Sequence, residues 1–162
     1  MRLYHQAFII LLLVGTFSCN KSEKTQETNA TEQAIQHSIK EINSLIQAEN
    51  WEKARMVAET TSDAYSQNMS AIESAQMVLI YIQLLAEPQL NTNFEKYYLY
   101  AKRIIQFNDL AMTSDGELTK NYYISKGVEN IIQETYENAQ YIVTAKDKAG
   151  EDSTYIQIKS AH

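Results

Sequence analysis

One proline and four glycines in 162 residues constrain this chain more than any other feature. Strand-rich sandwiches and barrels need frequent turns, and turns draw on glycine and proline. Here the proline is Pro88 and the glycines stand at 15, 116, 127 and 150. That scarcity favours long helices, and the apolar pattern agrees. Ile35, Ile39, Ile42 and Ile46 recur at steps of four, three and four, which is one face of a helix ending near Asn50.

Four more helices are expected. The second starts at Trp51 and turns Ala54, Val57, Ala58, Thr61 and Tyr65 inward. Ser70 and Glu73 form a capping-box pattern for the third, and Asn29 with Glu32 and Thr92 with Glu95 repeat it for the first and fourth. The third holds the run 77–86, apolar nearly all round, so it should be the central buried helix. Pro88 ends it, because the residue before a proline avoids the helical region. The fourth carries Phe94, Tyr97, Tyr98, Ala101, Ile104, Ile105 and Leu110. Ser114 to Glu117 read as a turn and a helix start. The fifth is expected to be the longest, from Leu118 to Ile142, with Gly127 inside it at a cost of about 1 kcal/mol relative to Ala. The stretch 147–162 reads as irregular, with Tyr155, Ile156 and Ile158 available for a short strand.

The start of the chain is built differently. Met1 and Arg2 precede the apolar run Ala7 to Val14, and Gly15-Thr16-Phe17-Ser18 lead to Cys19, the only cysteine. A charged start, a short apolar run and a small residue before the cut describe a secretory leader. Ser18-Cys19 resembles the end of a bacterial lipoprotein signal, although Thr16 and Phe17 differ from its usual leucine and small residue. The resemblance implies removal of residues 1–18 and acylation of Cys19, with palmitate-like chains that anchor the protein in a membrane. A lone cysteine in an exported protein needs a partner or a role, and acylation supplies one. Asn20 stands where lipoproteins retained in the inner membrane carry aspartate, so the resemblance implies the outer membrane, facing the periplasm. Residues 19–30 contain nothing to bury and read as a tether; a helical domain is expected over 31–146.

Loss of Arg2 with the leader leaves 13 basic against 20 acidic residues, a formal charge of −7. Nucleic-acid affinity comes largely from Lys and Arg neutralising phosphates, so the balance argues against that partner. It also argues against anionic lipid as a partner of the domain surface.

Asn50-Trp51-Glu52-Lys53-Ala54 is echoed 43 residues later by Asn93-Phe94-Glu95-Lys96-Tyr97, and Ala58 and Ala101 occupy matching places. Each copy opens the second helix of a pair. The aromatic followed three residues later by a small residue resembles a tetratricopeptide-like hairpin, matched by Trp51 and Ala54 and departed from at Tyr97. The fold class is therefore all-α, about five helices in antiparallel hairpins, arranged as a tetratricopeptide-like array or as a plain bundle.

Catalytic signals are sparse. After the leader, only His37 and the terminal His162 remain, and His37 lies off the isoleucine face. Zinc sites built on Cys and His need several such ligands, and four scattered glycines make no phosphate loop. Glu129, Glu134 and Glu137 read as solvated helix-face charges, and Glu73 and Glu87 as helix-end residues. Asp147, Glu151 and Asp152 lack the ligand spacing of an EF-hand. No metal, cofactor or enzyme activity is expected. Ten tyrosines survive the leader, and tyrosine offers amphipathic contact area with a polar tip. Tyr98, Tyr100, Tyr122 and Tyr123 are the candidate lining of a shared groove. The expected role is a lipid-anchored module that binds an envelope protein or peptide; the alternative is capture of a small ligand or glycan.

Overall fold

The computed structural model describes residues 28–87 and 93–149, so Cys19, Pro88, Thr92, the stretch Tyr155 to Ile158 and His162 lie outside the described residues. The chain divides into a unit ending at Ala34 and a compact unit beginning at Ile35. Residues 28–34 of the first unit are helical and mostly exposed.

All regular structure among the described residues is helical. Helix α1 covers 28–47, α2 Trp51–Tyr65, α3 Ala71–Leu85, α4 Phe94–Lys126 and α5 Glu129–Ala149, with a 3₁₀ turn at Ser66–Asn68. Thr28 is already helical, so Asn29 sits within α1 and does not cap it. The expected isoleucine face is buried: Ile35, Ile39, Ile42 and Ile46 are each 8% exposed or less.

A three-residue turn joins α1 to α2. The Glu49 amide donates to the Ile46 carbonyl and the Asn50 amide to that of Leu45, with Glu49 left-handed at φ 55°. This is the paired-bond helix ending usually built on glycine. Asn50 then caps α2, its side chain accepting from the Lys53 amide at 3.4 Å. Asn93 caps α4 in the same way, accepting from the Lys96 amide at 3.1 Å. The cap of α4 is therefore Asn93, and the weak repeat marks two equivalent helix starts. Ala58 and Ala101 are both fully buried.

Helix α3 is the centre of the bundle. Met77, Val78, Ile80, Tyr81 and Leu84 are all 1% exposed or less, and burial of each large apolar side chain contributes about 1.5–3 kcal/mol. At its start, the Ser70 and Glu73 side chains bond each other's backbone amides, the capping box expected from the sequence. Helices α3 and α4 run antiparallel, with the Tyr81 ring tilted against Tyr100 at a centroid distance of 5.2 Å and stacked on Phe107 at 6.0 Å. Helix α5 runs back along α4, joining Tyr136 to Asp109 and Asp147 to Tyr98.

Alternate helices also touch. Gln36 of α1 bonds Glu73 of α3 at 2.8 Å, and Glu59 and Asp63 of α2 pair with Lys96 and Arg103 of α4. Helices α1, α3 and α5 thus form one row of the all-α bundle and α2 and α4 a second.

Two breaks divide the second half of the chain, and only the second departs from the expected fifth helix. The first, inside α4, is the predicted turn: Asp115 is extended (φ −160°, ψ 92°) and its carboxylate accepts from the Leu118 amide at 2.9 Å. The Tyr123 hydroxyl bonds Asn108 at 3.2 Å, although fifteen residues of straight helix would span about 22 Å. The chain therefore folds back at Asp115. The second break is Gly127. The sequence suggested an interior glycine in one long helix, but Gly127 is left-handed (φ 67°) and ends α4. Its amide donates to the Ile124 carbonyl and the Val128 amide to that of Tyr123, the same ending as at Glu49. Periodicity ran across this break because Ile124 and Ile131 fit a helical pattern; both are in fact exposed.

Candidate functional site

The four candidate tyrosines do not share a groove. Tyr100 is fully buried and Tyr123 is 4% exposed, so both belong to the core. The Tyr100 hydroxyl donates to Glu59 Oε1 at 2.5 Å, and burial together with that carboxylate pushes its pKa upward. Burial raises Tyr123 as well. Tyr98 is half-buried against the end of α5, donating to Asp147 Oδ1 at 2.9 Å. Its ring lies 6.5 Å from that of Phe94, with Lys146 Nζ 4.1 Å and Lys102 Nζ 5.2 Å from its centroid. Tyr122 packs beside Tyr123, with Lys126 Nζ 5.7 Å from its ring. Tyr123 reaches Asn108, ten residues or about 15 Å along α4 from Tyr98. Tyr98 and Tyr122 therefore have separate neighbours.

The carboxylates considered from sequence also have structural positions. Glu73 is 3% exposed and accepts from the Ser70 amide, the Ser70 hydroxyl and Gln36 Nε2. Glu87 is 3% exposed and paired with Arg55. Glu129, Glu134 and Glu137 are exposed on α5, with Glu137 accepting from Gln133 at 2.6 Å. Asp147 lies on α5 and accepts from Tyr98; Glu151 and Asp152 lie outside the described residues. His37 is exposed. Among the described residues no three His, Cys, Asp or Glu side chains converge to hold a metal ion. No helix among them is long and apolar enough to cross a membrane.

A concavity lies elsewhere among the described residues. A cleft of about 260 Å³ opens between α3 and α5 with α4 as its floor. Ile82 and Leu85 form one wall, Tyr97 and Ala101 the floor, and Asn138 and Ile142 the other wall. Thr135 adds a hydroxyl near Asn138. The lining is mainly aliphatic, with a few groups able to orient a polar chain. The departure of the second repeat marks the place. Ala54 is fully buried in the first copy, while Tyr97 at the matching position is half-buried and lines the cleft. A bulky ring where a small residue would permit close helix approach leaves room beside it. The sequence carried that signal at Tyr97, but nothing in the pattern linked Tyr97 to Asn138, which lies 41 residues away on another helix.

Compared with known family models, curated proteins and solved structures, the chain matches none.

Proposed function

We propose that this chain is a membrane-anchored envelope lipoprotein whose helical domain binds a protein or peptide without catalysing a reaction. The cleft between α3 and α5 carries the reading. It lies between two members of one row with a helix of the other row beneath it, and stacked hairpins use such concave faces for partners. Its volume of about 260 Å³ falls below the roughly 300 Å³ at which small-molecule pockets begin. That favours the insertion of one or two side chains of a longer chain over enclosure of a whole ligand. Asn138 and Thr135 supply donors and acceptors suited to a peptide backbone.

The anchor in this reading is Cys19, acylated after loss of residues 1–18, with residues 20–27, ahead of α1, as a tether. The proposed location is the outer membrane facing the periplasm. The acidic balance of the chain supports a partner other than nucleic acid.

A crosslinking pull-down of the tagged chain from its own envelope tests the binding role. Recovery of one dominant protein, lost when Asn138→Trp fills the cleft in a folded variant, is the expected result. Recovery of glycan alone would favour the capture alternative. Mass spectrometry tests the anchor: an intact Met1 or an unmodified Cys19 thiol on the natural product would remove it.

A further inference from the structure

We propose that α2 is a detachable strap over Tyr81 and Tyr100, latched by ion pairs and loosened by salt. The inference concerns the bundle itself and does not depend on the binding role proposed above.

The buried residues of α2 are Ala54, Ala58, Thr61 and Ser62, all small. Its larger apolar side chains, Trp51, Val57 and Tyr65, are only half-buried. By contrast α3 buries Met77, Val78, Ile80, Tyr81 and Leu84. Hydrophobic stabilisation scales with apolar area removed from water, so α2 is held less firmly by that term than α3.

Polar links supply much of the rest. Lys96 Nζ lies 3.3 Å from Glu59, the Tyr100 hydroxyl donates to the same carboxylate, and Arg103 pairs with Asp63. The side chains of Lys96, Glu59 and Asp63 are 43%, 31% and 68% exposed, so mobile ions reach this seam. Screening shortens the reach of such pairs from about 10 Å at 0.1 M salt to about 3 Å at 1 M. Arg55–Glu87, near the start of α2, is a shielded pair; beyond it the helix is held by small-residue packing, the Tyr81–Ser62 bond and solvated pairs, and such a segment opens locally before the bundle unfolds. Opening uncovers the Tyr81 and Tyr100 rings, whose hydroxyls bond Ser62 and Glu59 in the closed form.

Thiol labelling tests the strap. In the full chain carrying Cys19→Ser, a single probe is placed by Ala58→Cys on α2 or by Ala75→Cys on α3; both alanines are fully buried. The α2 probe is expected to react at least about tenfold faster. Raising salt from about 0.05 M to about 1 M should speed it roughly threefold and leave the α3 probe unchanged. Glu59→Gln with Asp63→Asn should give the faster rate already at low salt and abolish the salt response. Equal rates at the two probes, or an α2 rate indifferent to salt, overturns the proposal. Amide exchange on the chain without probes is the independent check: amides 54–62 must exchange through a smaller opening than amides 75–84, and equal protection overturns the strap.

Discussion

The hydroxyl of Tyr81, on α3, lies 2.7 Å from Ser62 Oγ and 3.2 Å from the Ala58 carbonyl oxygen, both on α2. Ser62 Oγ also donates to that carbonyl, at 2.8 Å, so both hydroxyls converge on the Ala58 oxygen and on each other. Three polar groups are thereby satisfied inside an otherwise apolar contact. Each member keeps a partner if one is removed, so single substitutions should be mild. Tyr81→Phe and Ser62→Ala are each expected to cost about 1 kcal/mol. The double variant should cost less than the sum, measured by urea denaturation of the full cycle.

Two helix endings share one geometry with different residues. Gly127 suits its left-handed φ of 67°, and a Cβ there would meet nothing within 4 Å, so Gly127→Ala tests backbone strain alone. Glu49 holds φ 55° despite its side chain. Gly127→Ala should destabilise by about 1 kcal/mol and Glu49→Gly should stabilise by a similar amount. Thermal melts should show opposite shifts of roughly 4–8 °C, the scale for about 1 kcal/mol in a domain near 100 residues.

The buried carboxylate of Glu73 gathers three donors, two from Ser70 and one from Gln36. Glu73→Ala removes a cap and leaves the Gln36 amide without this acceptor. A loss of about 1–3 kcal/mol is expected. Glu73→Gln keeps one oxygen and should lose less. Chemical denaturation distinguishes the two.

Glu87 presents a nearly buried carboxylate to Arg55, their side chains 2% and 17% exposed. Arg55→Met leaves that charge uncompensated and should cost about 3–5 kcal/mol. Adding Glu87→Leu removes the stranded charge and should recover most of the loss. Failure of the double variant to recover would mean that packing of the Arg55 stem, and not charge, holds this end of α2.

Alkaline pH should weaken the fold. Burial raises Tyr81 from the ordinary 10.0 to about 12, and raises Tyr100 and Tyr123 in the same direction. The unfolded chain releases these protons first, so it binds fewer protons than the folded chain across that interval. Stability is then fully present below about pH 10 and falls as pH rises toward 12. Denaturation midpoints measured from pH 9 upward, at about half-unit steps, should fall in this window, and less steeply in Tyr81→Phe.

The legible parts of the fold were those written in local chemistry. The isoleucine face of α1, the Ser70–Glu73 box, the turn at Asp115 and the burial of α3 all follow from spacing within a few residues. Gly127 was misread because a helical pattern continues through it; a glycine that ends a helix and one inside a helix look alike when apolar residues resume on the far side. The tyrosines were misread for a related reason. Tyr97, Tyr98 and Tyr100 differ in facing by simple rotation along one helix, but which direction is inward depends on where α2, α3 and α5 lie. Tyr100 faces Glu59 and Tyr81, Tyr98 faces α5, and Tyr97 faces the cleft.

Sequence alone determined the all-helical class, the Ser70–Glu73 capping box and the apolar faces of α1 and α3, because helix propensity, capping and periodicity act over one to three turns. The tertiary structure decided which tyrosines are core, that α4 folds back at Asp115, and that α3, α4 and α5 leave a cleft beside Tyr97. Those outcomes depend on side chains from helices far apart in the chain competing for the same space, and no local pattern encodes that competition.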